Sequence, residues 1–487
     1  LDPERDSSGD GLPDVWMSQM GLDPARAQAG EDPDGDGVAN IDEYRLGTHP
    51  RGFHRTYFAE GAAGAFFQTE LGLMNVSGEV PARVVVSLSP EAGEPVSRFA
   101  MLGPQQRMSV HPAAMLGTGA SLFATVVESD VPVAADRMMS WDDREYGSTS
   151  DRGVSEPSTR WYFAEGATTP FELFYLLQNV SPTETVQVKI RYLRTAGDPV
   201  TKTYTLAPRS RTTLYVNQYP ELERQLISAE IVADGPIVAE RAMYLHSGGT
   251  VFGAGHVTSG APRPSHEWLF AEGATTFFDT FLLIAVPGTE AGEAVVRYLL
   301  PDGRTLTKRH TLAPESRSTI WVNNEDATLA STAVAIAVTA DVPIVAERAM
   351  WWPGSATAGG WYEATAVMGA TEPGTTWLVP GGADGGDGSE QTYVLIANQA
   401  ADAGEARVTV VFDDHTRVER RFELASSSRT TLNIGAMISD ARDRDFSVIV
   451  ESIGAVPVPV VVECARYSSA SGLVLGAGSA EIATRIE

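Results

Sequence analysis

Cysteine is almost missing. Cys464 is the only one among 487 residues. No intrachain disulfide can form, and a lone thiol after a run of valines reads as a small buried apolar side chain. The shortage leaves export open, since exported chains do not all carry disulfides. No apolar run reaches 18 residues, so no segment reads as a membrane-spanning helix. Basic residues are scarce too: 36 Lys and Arg against 63 Asp and Glu leave a net charge of -27. Such a field repels nucleic acid and anionic lipid, and it favours solubility and cation uptake. A start at Leu1, with no methionine and no signal-like segment, is consistent with a processed or trimmed chain.

The signatures of catalysis are missing as well. The histidines are His49, His54, His111, His246, His256, His266, His310 and His415, and none sits in an HExxH pattern or beside cysteine at zinc spacing. There is no GxSxG elbow and no GxGxxG between a strand and a helix. Acid pairs abound, but a glycosidase dyad is defined by its separation in a cleft, which spacing in sequence does not give. Trp351, Trp352, Trp361 and Tyr362 form the densest aromatic cluster. Stacking on sugar is one use for it; packing in a core or between domains is the commoner one.

What the chain does have is repetition. WYFAEG at Trp161–Gly166 returns as WLFAEG at Trp268–Gly273, precedes itself as TYFAEG at Thr56–Gly61, and decays to WLVPGG at Trp377–Gly382. The offsets of 105, 107 and 109 residues are too long for a solenoid and fit a whole small domain. The boundaries read as an N-terminal module over 1–50 and repeats over 51–157, 158–265, 266–374 and 375–487. In the third repeat, short alternating or β-branched runs follow each other from Phe277 to Trp352, with turn signals such as Pro301-Asp302-Gly303. About seven strands per repeat predict an all-β chain: four tandem immunoglobulin-like antiparallel β-sandwiches behind a small module of loops and short helices. A glycine-rich tail, Gly248–Gly255, is echoed at Gly472–Gly478 and belongs to the repeat. The true linkers, near Glu156–Thr159, Pro262–Ser265 and Glu372–Thr375, are short and carry proline, which predicts a rod with limited bending.

The first fifty residues hold 12 acidic and three basic side chains. Their pattern is informative. Asp32, Asp34, Asp36, Val38 (through its carbonyl), Asn40 and Glu43 fall at the ligand positions of a calcium loop, with Gly37 at the sharp turn. Ca2+ takes six to eight hard oxygen ligands, which alternate side chains of a tight loop supply. Asp6, Ser8, Asp10, Leu12 (carbonyl) and Asp14 form a second copy. It is incomplete, because its closing carboxylate position is Met17. Helices are expected over Pro13–Met20 and Ala39–Leu46, the second ended by Gly47. The structural alternative for both segments is a solvated acidic turn.

Through DGLPDVW, DPDGDGVANIDEY and GTHP, residues 6–50 resemble the thrombospondin type 3-like calcium repeats of secreted bacterial proteins. That resemblance implies calcium binding and a stiff connector. Through the AEG, SRTT and PIVAERAM boxes, residues 55–487 resemble the tandem WYFAEG β-sandwich domains of bacterial surface proteins. It implies a location outside the cell and a fold, and it carries no reaction.

Some charges recur in all four copies: Arg107, Arg211, Arg317 and Arg429 of the SRTT box, and Asp136, Glu240, Glu347 and Glu463 of the AER box. The AEG glutamate (Glu60, Glu165, Glu272) and the AER arginine (Arg137, Arg241, Arg348) are lost together in the fourth copy, as Gly381 and Cys464. Joint loss suggests contact, because one partner of a buried pair cannot be removed cheaply. It predicts Glu272 on Arg348, Glu347 on Arg317 and Glu463 on Arg429. The chain thus reads as a non-enzymatic extracellular structural protein: a calcium-stiffened rod acting as surface stalk, adhesin segment or fibre subunit. It would associate with itself or with cell-surface components through the calcium module and the last repeat. The alternative is an array of polysaccharide-binding modules serving a separate enzyme; a hydrolase hidden in degenerate repeats is a third.

Overall fold

The computed structural model describes residues 2–117, 119, 121–142, 147–247, 250–354, 360–386, 389–469 and 472–486. It is nearly all β, with helices confined to short segments, as the alternating runs predict. The first repeat shows the plan. Besides the two-residue Ala62–Ala63, its strands are His54–Phe58, Phe67–Asn75, Ala82–Pro90, Val96–Leu102, Arg107–Val110, Ser121–Ser129, Val133–Trp141 and Gly147–Asp151. One sheet runs first–sixth–third–fourth and the other fifth–second–seventh–eighth, all antiparallel. The pairs third–fourth, second–fifth and first–sixth are nested, so the chain wraps from sheet to sheet as a Greek-key sandwich.

The other repeats keep this order. In the second and third, the sixth and seventh strands are one continuous strand, Ile227–Ser247 and Ala335–Trp352, that changes sheet midway. Alternation decides the faces. Along Val186–Arg194, Val186, Val188 and Ile190 point into the sandwich while Gln187 and Lys189 face water.

The eighth strand is the one that periodicity did not reveal. It lies in the glycine-rich tail: Thr250–Ser259 in the second repeat and Ala477–Ile482 in the fourth, with Glu363–Met368 as the third repeat's version. Of that tail, Gly248 and Gly249 lie outside the described residues. Gly255 and Gly478 are needed there, because a Cβ would run into the rings of Tyr244 and of Tyr467 and Trp352.

These four eighth strands pack around a common axis. The first repeat's touches the second's, the second's the third's, the third's the fourth's, and the fourth's comes back to the first's. The four sandwiches therefore form a closed ring, which corrects the expected rod. The reason is that each repeat offers one face to the next and receives the preceding repeat on another. Such head-to-tail contacts close on themselves when the rotation between neighbours divides the circle. The proline linkers are short because they need only pass from an eighth strand at the axis to the first strand of the neighbour.

Candidate functional site: the acidic module, the seams and the axis

The N-terminal module folds on the first repeat and is not a free connector. Its helices span Asp14–Gln19 and Asn40–Leu46, the second ended by Gly47 in the left-handed region, whose N–H returns to the Glu43 carbonyl. Leu12, Met17, Met20 and Leu22 make a small core with Val85 of the first repeat, and Phe99 packs against it. Met17 is thus an apolar anchor. That explains why the template's last ligand is missing from the first loop.

In the second loop, one carboxylate oxygen from each of Asp32, Asp34 and Asp36 comes within 4.8 Å of the others. The loop is shaped by its own acids: Asp32 accepts from the N–H of Gly35 and Gly37 (both 2.9 Å), and Asp36 from that of Val38 at 2.9 Å. Asn40 and Glu43 are buried. The Asn40 amide donates to the Gln28 carbonyl at 2.8 Å, and Glu43 accepts from Thr48 at 3.2 Å. Asn40 Oδ1 and Glu43 Oε2 have no hydrogen-bond partner among the described residues. Burial first, then the negative charge of Glu128, Asp34 and Asp36, pushes the Glu43 carboxyl up to about 9. The three clustered carboxylates offer hard oxygen donors of the kind a divalent cation takes, and Glu43 lies outside their cluster.

One partner was not legible in the motif. Arg55, from the first strand of the first repeat, reaches Asp34 (3.0 Å), Asp36 (2.7 Å) and Glu128 (3.0 Å). The loop is clamped to the sandwich through this guanidinium, and Gly52 N–H adds a bond to Asp34 at 2.9 Å. The Asp6–Asp14 loop has the same internal bonds, with Asp10 accepting from Leu12 N–H as Asp36 does from Val38, and differs in its outward contacts. Asp6 accepts from the N–H of Gly9 (2.7 Å) and Gly11 (2.8 Å), and those backbone bonds, Gly11's first, lower its pKa. Ser8 donates to Asp6, Asp10 accepts from the N–H of Gln28 and Ala29, and Asp14 accepts from Ser7. Leu12 is a core side chain. This loop's acids fasten it to the rest of the module.

The recurring boxes prove to be joints. Arg137, Arg241 and Arg348 each bond the acid of the next repeat, Glu240, Glu347 and Glu463, at 2.6 Å in every case, with both side chains fully buried. Each acid also accepts a backbone N–H from the neighbour's AEG segment: Ala59, Ala164 and Ala271, at 2.9, 2.7 and 2.8 Å. The SRTT arginines reach back in the same direction, Arg211 to Glu60 and Arg429 to Glu272. Burial pushes the Glu240 carboxyl up to about 7, with Arg137 opposing it.

These contacts correct the pairing expected from joint loss. Glu347 bonds Arg241, not Arg317; Glu463 bonds Arg348, not Arg429. Arg348 does meet Glu272, through the backbone carbonyl at 2.9 Å, and only in the second repeat do the side chains touch, Arg241 on Glu165 at 3.1 Å. The two charges vanish together because both face the same seam. In the fourth repeat that seam is the one with the first repeat, which no linker bridges. There Gly381 donates its N–H to Asp136 at 2.8 Å, and Arg466 approaches Asp136 and Glu481 at 3.4 Å. A Cβ on Gly72 or Gly381 would collide with Asp136, so both glycines permit the close approach. Cys464 is buried, as expected for a lone apolar thiol.

At one end of the axis the ring forms an open chamber of about 1070 Å3 lined by all four repeats. Arg152 and Arg263 line it, and neither forms a salt bridge among the described residues; Arg55, Asp151, Glu156, Glu481 and the Arg485–Glu372 pair (2.8 Å) are the other charged groups of its wall. The aromatic cluster lies elsewhere and is packing. Trp351 and Trp352 are buried, Trp352 against Phe278 and Tyr467, and Trp361 stacks near Trp351.

No family model and no curated protein matches the sequence. Among solved structures, a Thermotoga maritima protein (1070) is 14% identical, covers 22% of this chain and 94% of its own, and has a TM-score of 0.20. The Anabaena sensory rhodopsin transducer is 23% identical over 18% of this chain and 94% of its own, at a TM-score of 0.16. A tetra-tandem repeat from the extending region of a large adhesion protein is 12% identical over 84% of this chain and 92% of its own, at a TM-score of 0.11. Among the described residues, no helix is long and apolar enough to cross a membrane.

Proposed function

We propose that this chain is a non-enzymatic, calcium-dependent structural unit of an extracellular or surface protein, in which the N-terminal module locks onto a rigid ring of four sandwiches. The observation that carries this reading is the acidic cradle of Asp32, Asp34 and Asp36 beside the buried Glu43, whose Oε2 has no partner. Val38 would add its carbonyl and Asn40 its side-chain oxygen. The ion would neutralise a cluster that Arg55 alone only partly balances, and so join the module to the first repeat. The ring changes the mechanical role: it serves as a compact head or node of a larger assembly, where a rod would serve as a spacer. Isothermal titration of the full chain tests the reading. Ca2+ should bind with an affinity of extracellular sites, in the range of about 100 μM to 1 mM, and Asp34→Ala or Glu43→Gln should weaken it. Equal affinity for wild type and both variants would sink it. Sedimentation with and without chelator then measures the expected association with further copies.

The chamber favours a second reading, recognition of an acidic polysaccharide by the ring, since two guanidiniums without a salt bridge among the described residues stand in its wall in a chain of net charge -27. Retention on an immobilised acidic glycan, lost in Arg152→Ala/Arg263→Ala, would support it.

A further inference from the structure

Each eighth strand pairs with the seventh strand of its own repeat and is otherwise an edge. Its outward N–H groups therefore face the axis of the ring, where four such edges converge and no ladder partner is available. The structure meets these donors with side-chain oxygens from neighbouring repeats. Thr149 Oγ1 accepts from Val257 N–H and Thr365 Oγ1 from Ala480 N–H, both at 2.9 Å, and Asp151 accepts from Ser259 N–H at 2.7 Å.

One level of this stack has a single acceptor for all four edges. Ser148, Gly255, Ala364 and Gly478 occupy equivalent positions, each three residues before the residue opposite the AER-box position (Asp151, Thr258, Val367 and Glu481). All four donate their backbone N–H to the carboxylate of Glu363: Ser148 at 3.0 Å and Gly478 at 3.3 Å to Oε2, Ala364 at 2.8 Å and Gly255 at 3.3 Å to Oε1. Two oxygens, each taking two donors, match the capacity of one ionised carboxylate. Glu363 is 0% exposed and forms no salt bridge among the described residues. All four of its contacts are donors, so this geometry suits the anion and offers no acceptor for a carboxylic proton. Burial drives its pKa well above the usual range, and the four N–H groups oppose that. The residues equivalent to Glu363 are Gly147, Ala254 and Ala477, so the other three strands leave room for one carboxylate.

We infer that the axis of the ring is an anion-binding hole built from one backbone N–H of each repeat, shaped for a single carboxylate and filled in this chain by its own Glu363. The class of ligand it accepts is a small monovalent carboxylate. Convergent backbone N–H groups hold anions without any cationic side chain. Emptying the hole would leave four buried donors unpaired, a heavy cost for one site. Glu363 thereby holds the four repeats in register from the centre, including the fourth against the first, where no linker joins them.

The test uses the full chain in chloride-free buffer at neutral pH, with thermal unfolding in 100 mM sodium acetate or in 100 mM sodium pivalate. Pivalate has the same charge and ionic strength but a head too bulky for the space left by Glu363→Ala. E363A should lose about 5 °C or more in Tm in pivalate and regain at least half of that in acetate. Wild type, whose hole is filled, should not distinguish the two salts. E363Q presents an amide N–H2 to the donors and should be destabilised in both. If E363A does not fold, refolding yield is read instead; recovery in acetate and not in pivalate supports the inference, and recovery in neither overturns it. It is also overturned if E363A matches wild type, if acetate and pivalate act alike on it, or if E363Q unfolds within a degree of wild type.

Discussion

Arg348 and Glu463 are 0% exposed and 2.6 Å apart, and they belong to different repeats. A buried pair of this kind is costly to break and cheap to replace as a unit. Arg348→Met is expected to destabilise the ring by about 3–5 kcal/mol by stranding Glu463. Arg348→Met with Glu463→Leu should cost much less, about 1–2 kcal/mol, most of it from the Ala271 N–H that loses its acceptor. Urea unfolding of the two single variants and the double measures this, and additive losses would refute the pairing. Histidine supplies the pH dependence at the same scale. His49 is buried, accepts from Arg51 N–H through Nδ1, and has its pKa pushed down from 6.5 to about 4, by burial first. The unfolded chain then binds more protons than the folded one between those values. Stability from this group is present above about pH 6.5 and is lost as pH falls towards 4, by on the order of 3 kcal/mol in all. His49→Gln should make the slope of stability against pH less positive in that window than in wild type, against the opposite contributions of Glu43 and Glu240 common to both. Parallel slopes would show that another group carries it.

At the scale of elements, the two acidic loops look alike in sequence and should respond differently. Asp32 and Asp6 bond equivalent loop glycines, but Asp32, Asp34 and Asp36 each bring an oxygen within 4.8 Å of the others, whereas Asp10 is taken up by the N–H groups of Gln28 and Ala29. Ca2+ should raise the unfolding temperature of wild type, and Asp34→Ala should abolish that rise. Asp6→Ala removes bonds that exist without any ion, and its effect should be the same in calcium and in chelator. A calcium-dependent loss for Asp6→Ala would place a second ion in the first loop.

For the whole molecule, the last repeat, which sequence left for assembly together with the calcium module, meets the first repeat within the chain. A compact ring of 487 residues should have a radius of gyration of about 25 Å, whereas four sandwiches end to end, each about 35 Å long, would give roughly 40 Å. Solution scattering separates the two. Cutting an engineered protease site in the linker at Glu372–Thr375 adds a sharper check. The fourth repeat is held by a seam on each side, so the nicked chain should still migrate as one particle; its release would mean that the closing seam does not form.

Periodicity was enough for the sandwich, because alternation along strands such as Val186–Arg194 is a local consequence of one buried and one wet face. The convergence of Asp32, Asp34 and Asp36 was legible too, since the three lie at alternate positions of one short loop. Both helices were found within two residues, for the same local reason. Recurrence also marked the box residues as important. What sequence could not assign was their partners: Arg348 and Glu463 are far apart along the chain, and joint loss reports a shared seam as readily as a shared contact. The eighth strands were hidden because glycine, needed for close packing beside Tyr244 and Tyr467, erases the hydrophobic pattern of a strand. Arg55, too, comes from a repeat and not from the motif it serves. The ring itself depends on the rotation between successive repeats. That rotation is set by buried surfaces at the seams and by four edge strands that find acceptors only when they meet at one axis, which only the assembled tertiary structure decides.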